Sequence, residues 1–394
     1  MKNKLRPIYH ILLSWLGSVI YGNPSKEIFV FGVTGTKGKT TLVELVNAGL
    51  EANGDKTAIC SSIRFKIGDK SIPNKTNNTM PGKFFIQKFL RDAVNVGCKY
   101  ALIEVTSEGI RQFRHSFIDF NAAMLLNLHP EHIESHGSFE NYRNAKLQFF
   151  KDVKKFSSKN PKYFFVNRDD SNANYFVDVA RPEKAITFTK SNIKTKLLGE
   201  FYKENIGAAE TFLKTVGISQ KVIEKALGNF EGVPGRLEFI QREPFAAVVD
   251  YAHTPDSLEA VYKTLTEIKG KGGKLICVLG SCGGGRDKWK RPKFGEVASK
   301  YCSEIILTNE DPYDENPLAI IGEIKSGISK EKLNSVREIV NRVHAIKFAV
   351  SLARKGDVVV STGKGSELYM HVANNERIPW SEKKIMEEAI IGIK

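Results

Sequence analysis

Cysteine is scarce in this sequence. The five residues Cys60, Cys98, Cys277, Cys282 and Cys302 are odd in number and scattered, and no Cys-x-x-Cys pair occurs. That leaves no paired-thiol metal or redox motif and predicts reduced thiols in a cytoplasmic protein. Long apolar runs are also missing. The stretch Ile8 to Leu16, preceded by Lys2, Lys4 and Arg6, is too short and too interrupted by polar residues to span a bilayer. No small-x-small cleavage site follows it before Pro24, so a cleaved leader is not indicated. The preferred reading is a helix packed on the first domain. The alternative is a basic, Trp-bearing helix in weak contact with a membrane surface. Low-complexity segments and tandem repeats are absent. An RNA-binding signature, a zinc finger and a basic-region zipper are absent too, which argues against nucleic acid as the partner. The net charge of +15, from 59 Lys+Arg against 44 Asp+Glu, still favours something anionic.

With 41% hydrophobic and 26% charged residues, the 394-residue chain has the make-up of two or three globular domains. From residue 28 short apolar runs alternate with amphipathic helices, the rhythm of an α/β fold with crossover connections. Ile28 to Phe31, Tyr100 to Val105, Ala122 to Leu126 and Lys162 to Val166 read as strands. Leu42, Leu45, Val46 and Leu50 recur at helical spacing, and Gly54 stops that helix. A break at Gly232-Val233-Pro234-Gly235 precedes a second series, with strands at Ala246 to Val249, Leu275 to Leu279, Ile305 to Leu307 and Asp357 to Ser361. The expected organisation is a helical segment at 1–27, a domain at 28–232 and another at 236–394.

The chemistry-bearing residues stand where strands end. Gly35-Thr36-Lys37-Gly38-Lys39-Thr40 lies between a strand and a helix, so free N–H groups and the positive end of the helix face a phosphate. Lys39 can reach terminal phosphates, and the Thr40 hydroxyl can ligate Mg²⁺. Counted from Gly32 the spacing is one residue longer than the common phosphate loop. A tight turn with a chance lysine is the lesser alternative. Glu104 ends a strand and could hold Mg²⁺ beside the phosphates; alone, such a residue is more often a surface glutamate. His129, Glu131, His132 and His136, followed by Lys146, invite a zinc reading, but no cysteine is near and the spacing is not that of a catalytic zinc helix. In the second series, Asp250-Tyr251-Ala252-His253-Thr254-Pro255 and Gly283-Gly284-Gly285-Arg286-Asp287-Lys288 each follow a strand. Arg236 stands at the break, where a guanidinium could turn toward phosphate.

These segments, in this order, resemble the Mur ligase family, and within it the tripeptide-synthetase branch that adds the third amino acid to the peptidoglycan stem. The resemblance rests on Gly32 to Thr41, Glu104-Val105-Thr106-Ser107, Asn127 to Gly137, Ala145-Lys146, Val249 to Pro255, Gly284 to Asp287 with Lys290-Arg291-Pro292, and Gly363-Lys364-Gly365 with Glu367. It implies a P-loop-containing central ATPase domain with a mostly parallel sheet, followed by a Rossmann-like α/β C-terminal domain. It also implies an ATP-dependent ligase that joins an amino acid to a muramoyl-peptide carboxylate through an acyl phosphate. The implied catalytic residues are Lys39, Glu104, His132 and Lys146, with Lys146 at the position of the family's carbamylated lysine. Thr40, Glu104, His132 and Lys146 would hold Mg²⁺. Gly35, Thr36, Gly38, Lys39, Thr40, Thr41, Asn205, Arg236, Asp250 and His253 would contact ATP. Asn78, Thr79, Thr106, Ser107, Asp311, Arg342, Gly363 and Glu367 would contact substrate. The implied protein is a cytoplasmic monomer serving cell-wall synthesis, cell shape and division.

Three departures qualify the resemblance. Only about 27 residues precede the first strand, where the family carries a domain that grips the uridine nucleotide; the expectation is a chain without that domain, acting on a uridine-linked or a lipid-linked acceptor. The diaminopimelate-adding enzymes carry Asp-Asn-Pro-Arg, whereas this sequence has Glu310-Asp311-Pro312-Tyr313. Tyrosine makes no bidentate salt bridge to a distant carboxylate, so diaminopimelate is disfavoured. Glu108 stands near the place of a histidine, and Tyr202 replaces an asparagine ahead of Asn205. The rival readings are a ligase of the same core acting on a lipid-linked precursor, on folylpolyglutamate or on poly-glutamate, and a non-catalytic nucleotide-binding regulator.

Overall fold

The apolar runs form the inner strands of two α/β units in the computed structural model, which describes residues 2–76, 78–131, 133–285 and 287–393. One unit takes the chain through Leu197 together with Phe201–Glu231, and the other takes Leu198–Glu200 and the chain from Gly232 onward.

The first unit is built on an eight-stranded sheet: β1 (Phe29–Thr34), β2 (Thr57–Cys60), β3 (Arg64–Ile67), β4 (Lys70–Pro73), β5 (Tyr100–Glu104), β6 (Ala122–Leu125), β7 (Tyr163–Asn167) and β8 (Ile186–Phe188), in the order β4-β3-β2-β5-β1-β6-β7-β8. All neighbours are parallel except β2–β3 and β3–β4. The helices are α1 (Lys2–Ile20), α2 (Lys39–Ala52), α3 (Lys83–Asn95), α4 (Ser107–Arg111), α5 (Ile133–His136), α6 (Phe139–Phe156), α7 (Ala173–Ala180), α8 (Phe201–Thr215) and α9 (Gln220–Asn229). β1 runs on past the apolar stretch visible in the sequence, because Gly32 and Val33 pair with Ile103 and Glu104 on one side while Val33 and Thr34 pair with Met124 and Leu125 on the other. Side chains alternate between the two faces. Val30, Ile103 and Leu125 join α3, α6 and α7 in one core. Phe31 points the other way, its ring 4.3 Å from that of Phe212 on α8. The chain passes from β1 to β2 on one side of it and later from β5 across β1 to β6 on the other, so the carboxyl end of β1 lies at a topological switch point, where open α/β sheets bind ligands.

The second unit has a six-stranded sheet: β9 (Glu238–Gln241), β10 (Ala246–Val249), β11 (Leu275–Leu279), β12 (Glu304–Leu307), β13 (Val336–Glu338) and β14 (Val358–Ser361), in the order β13-β12-β11-β14-β10-β9. Only β9 is antiparallel to its neighbour. A hairpin of β15 (Tyr369–His371) and β16 (Arg377–Pro379) stands apart. Its helices are α10 (Pro255–Ile268), α11 (Lys290–Tyr301), α12 (Pro317–Lys325), α13 (Arg342–Leu352) and α14 (Glu382–Ile391). The expectation of reduced thiols is corrected here. Cys277 on β11 and Cys302, just ahead of β12, form a disulfide with Cα atoms 6.1 Å apart, while Cys60, Cys98 and Cys282 stay free. The cause is topological: β11 and β12 are parallel neighbours, and the residue leading into one lies beside the middle of the other.

No described helix is long and apolar enough to cross a membrane. Where α8 meets the segment after β8, a side chain at Gly207 would place its Cβ 1.8 Å from the Thr189 carbonyl oxygen. Gly207→Ala is therefore expected to destabilise the protein by about 1–3 kcal/mol, seen as a lower urea midpoint at unchanged slope. An unshifted midpoint would show that this contact yields freely.

Candidate active site

Thr34 closes β1, and the chain then turns through Gly35 to Gly38 into α2. Gly38 caps the helix at φ 79°, a left-handed conformation that suits glycine, and a Cβ there would lie 2.5 Å from the Asn205 side-chain oxygen. Asn205, on α8, thus lies against the loop. Asn127, just beyond β6, fixes the loop from the opposite side. Its Oδ1 accepts the Thr36 and Lys37 N–H groups at 3.2 and 2.9 Å, and its Nδ2 donates to the Lys37 carbonyl at 3.2 Å. The Thr36 hydroxyl meets the buried Tyr142 hydroxyl at 3.1 Å and accepts the His129 N–H at 2.9 Å.

Two lysines share one carbonyl beneath this loop. Lys39 Nζ donates to Gly35 O at 2.8 Å and to Thr36 O at 3.1 Å. Lys146 Nζ, carried by α6, donates to the same Gly35 O at 2.9 Å and lies 4.7 Å from the Tyr142 ring centre. Lys146 is only 1% exposed. Burial, and then the Lys39 charge, push its amine well below the usual lysine range, with Glu131 opposing. The neutral amine is the nucleophilic form.

An oxygen cluster sits at the neighbouring strand ends. The Thr40 hydroxyl meets Ser62 Oγ at 2.9 Å, and Glu104, buried at the end of β5, accepts the Ser62 N–H at 3.0 Å. Hydroxyl and carboxylate oxygens are the donors Mg²⁺ takes, so the set fits that ion and not zinc. Among the described residues no group of three or more His, Cys, Asp or Glu side chains gathers for a metal. His132 and Arg286 lie outside the described residues. Thr41 is buried in the first turn of α2. Thr106 caps α4 by accepting the Gly109 N–H at 3.1 Å. Ser107 meets His136 Nε2 at 3.2 Å beside a cavity of about 400 Å³, whose lining includes Arg111, His136, Asn141 and Gln148. Asn78 bonds within its own loop, and the Thr79 carbonyl lies 3.9 Å from Cys60 Sγ.

The second unit holds its own polar network. Asp250 accepts the Leu237 and Ala252 N–H groups, both at 2.6 Å. The Arg236 guanidinium lies 4.0 Å from the Tyr251 ring centre, and the His253 ring packs edge-on at 4.7 Å. Tyr251 donates to Glu367 at 3.1 Å. Lys364 links Glu367 at 2.5 Å to Asp311 at 2.7 Å. Gly363 lies against the Glu310 carboxylate. Arg342 is placed differently from a surface contact. Its guanidinium is fully enclosed and donates to Glu382 at 2.7 Å, the Ser361 hydroxyl at 3.1 Å and the Thr362 carbonyl at 2.6 Å. It acts as a strut under the ends of β14 and α13.

Sequence reading missed Ser62, Asn127 as the loop's clamp, and Tyr142. The strand-end rule would have found Ser62 had the four residues of β2 been recognised as a strand.

Burial of Lys146 carries a pH signature. The folded chain holds the amine proton more weakly than the unfolded chain does, so the strain of a buried cation eases as pH rises toward the ordinary 10.5. In buffer free of carbon dioxide, Lys146→Met is expected to raise the thermal midpoint at neutral pH, with a gain that shrinks at higher pH. Parallel stability curves for the two proteins would refute this.

Residues 33–231 match the Mur ligase middle domain, and residues 235–365 match the family described as Mur ligase, glutamate ligase domain. A UDP-N-acetylmuramoyl-L-alanyl-D-glutamate–2,6-diaminopimelate ligase of Syntrophomonas wolfei is 37% identical over 408 aligned positions, covering 96% of this chain and 82% of the relative. A solved structure of a ligase of that name superposes with a TM-score of 0.61 at 28% identity, covering 93% of this chain and 78% of the other. Folylpolyglutamate synthase of Mycobacterium tuberculosis, complexed with ADP and AMPPCP, shares the fold at a TM-score of 0.71 and 16% identity, with 90% and 92% covered. The chain belongs to the Mur ligase family of ATP-dependent ligases, which form an amide between a carboxylate and an amino acid.

Proposed function

We propose that the acceptor is the free carboxylate of a UDP-N-acetylmuramoyl dipeptide and that the reaction extends it by one amino acid in the cytoplasm. The observation that carries this reading is the paired approach of Lys39 and Lys146 to the Gly35 carbonyl, beside the Thr40, Ser62 and Glu104 oxygens. The names of the relatives support the acceptor. In the balanced reaction, the acceptor carboxylate takes the γ-phosphoryl group of ATP and ADP leaves. The amine of the incoming amino acid then attacks the acyl carbon, phosphate departs and an amide remains. The chain's part is positioning and charge neutralisation. Asn127 holds the Thr36 and Lys37 N–H groups, so the remaining loop amides and the N-terminal end of α2 would face the phosphates, Lys39 would turn from the loop carbonyls to the terminal phosphate, and Asn205 borders the loop. Magnesium, when bound, offsets the charge on the transferred phosphoryl group, and Thr40, Glu104, His132 and a modified Lys146 would hold it. The buried amine, held toward its neutral form, supports the modification: its nitrogen would add to the carbon of CO₂, lose a proton to water and become a carbamate anion. In the second unit, Arg236, Asp250 and His253 would serve the nucleotide, while Asp311, Gly363 and Glu367 would serve the amino acid.

The expected assay result is phosphate release that requires both a muramoyl dipeptide and an amino acid. Lys39→Ala should lower turnover at least about a hundredfold. Lys146→Ala should do the same, with partial recovery on adding a short carboxylic acid. Equal release by wild type and Lys39→Ala would end the enzymatic reading. Turnover of a lipid-linked or folate acceptor alone would redirect it.

The amino acid is proposed to lack a second carboxylate. Tyr313 stacks on His371 at 5.1 Å and 16°, with no guanidinium at that position. L-Lysine should then exceed diaminopimelate in kcat/KM, and Tyr313→Arg should narrow or reverse the ratio. A wild-type preference for diaminopimelate would overturn this.

A further inference from the structure

Helix α1 is turned inside out for a helix on a globular surface. An amphipathic helix ordinarily buries its large apolar side chains and shows its polar ones. Here Ser14 and Ser18 face the protein and are almost wholly buried. Ser14 Oγ donates to the Phe113 carbonyl at 2.9 Å, and Ser18 Oγ donates to the Trp15 carbonyl at 2.7 Å. The bulky residues point outward. Tyr9 is 58% exposed, Leu12 56%, Trp15 49%, Leu16 40%, Val19 50% and Ile20 58%. Positions 9, 12, 16 and 19–20 recur at the helical period, so these side chains make a continuous stripe rather than scattered apolar residues.

The charge pattern selects the occupant. Lys2, Lys4 and Arg6 stand in the first turns of α1, and the helix holds no aspartate or glutamate. From Ile8 to Ile20 only His10 can titrate near neutrality. A stripe of Leu, Val and Ile with Trp and Tyr, preceded in the sequence by three cations, matches the boundary between acyl chains and anionic headgroups. The helix is not apolar enough to cross a bilayer, so it would lie in the surface.

We infer that α1 is a membrane-surface anchor that docks the first unit on anionic lipid through Tyr9, Leu12, Trp15, Leu16, Val19 and Ile20. The contact is independent of the ligase chemistry, since none of these residues belongs to the active site.

The test is sedimentation of the full chain with vesicles of phosphatidylcholine containing about one-third phosphatidylglycerol, a content at which basic segments bind. Binding is expected, falling at least roughly tenfold when salt is raised to screen the cations. Leu12→Glu with Val19→Glu should weaken binding at least roughly tenfold, with ligase turnover and thermal midpoint unchanged. Lys2→Glu, Lys4→Glu and Arg6→Glu together should abolish the salt-sensitive part. A second measurement needs no charge inserted in the stripe. Brominated lipid should quench the tryptophan fluorescence of wild type and of Trp289→Phe, and the quench should vanish in Trp15→Phe. Absence of vesicle binding by wild type, or a quench retained in Trp15→Phe, would overturn the proposal. So would a wild-type dimer that the Leu12→Glu, Val19→Glu pair splits into monomers, because the stripe would then be a protein interface.

Discussion

A single backbone carbonyl, that of Gly35, accepts from both Lys39 and Lys146, and much of the first unit serves to make that arrangement possible. Two ammonium groups this close repel each other, and one is buried, so the fold favours the neutral form of the inner amine. The surrounding polar groups keep the loop from relaxing away. Asn127 ties two of its N–H groups, Tyr142 and His129 hold Thr36, and Asn205 blocks the space behind Gly38. The loop is thus ordered by side chains from β6, α6 and α8 before any phosphate arrives. A loop backbone held in this way need not rearrange when charge develops, although Lys39 has to leave the loop carbonyls. The cost is a buried lysine amine driven toward its neutral form, a trade of stability for chemistry of the sort active sites make.

The second unit solves a related problem with paired charges. Lys364 is buried between Asp311 and Glu367, and Arg342 is buried against Glu382. Such pairs add little net stability, but losing one partner leaves an uncompensated charge and typically costs about 3–5 kcal/mol. Their value lies in direction. Lys364 fixes Glu367, Glu367 receives the Tyr251 hydroxyl, and Tyr251 is the surface on which Arg236 and His253 rest. A change deep in the unit would therefore move the groups at its strand ends.

The α/β architecture was legible because parallel strands buried on both faces read as unbroken apolar runs, as in Ala122 to Leu126 and Leu275 to Leu279. The phosphate loop was legible because glycine, lysine and threonine are tied by spacing to a strand and a helix. Short strands such as β2, and β13 with Val336 as its one buried residue, carry too few residues for a pattern. Ser62 was invisible for that reason. Arg342, the first residue of α13, has its acidic partner Glu382 forty residues later, a pairing that only the fold brings together. The outward face of the α1 stripe was one of two readings the sequence left open, since the direction in which an apolar stripe faces depends on what it packs against. The Cys277–Cys302 pairing is a matter of strand order, which composition does not encode.

That crosslink closes a loop between residues 25 apart, and the loop contains α11 with the fully buried Arg291. Closing a segment of this size removes freedom from the unfolded chain equivalent to about 3 kcal/mol. Both sulfurs belong to residues with no exposed surface, so a reductant gains access only when β11 and β12 part. The second unit therefore has two unfolding thresholds set by its chemical history. A protein prepared under thiol should melt earlier than one prepared in air, although no residue of the reaction centre differs between them.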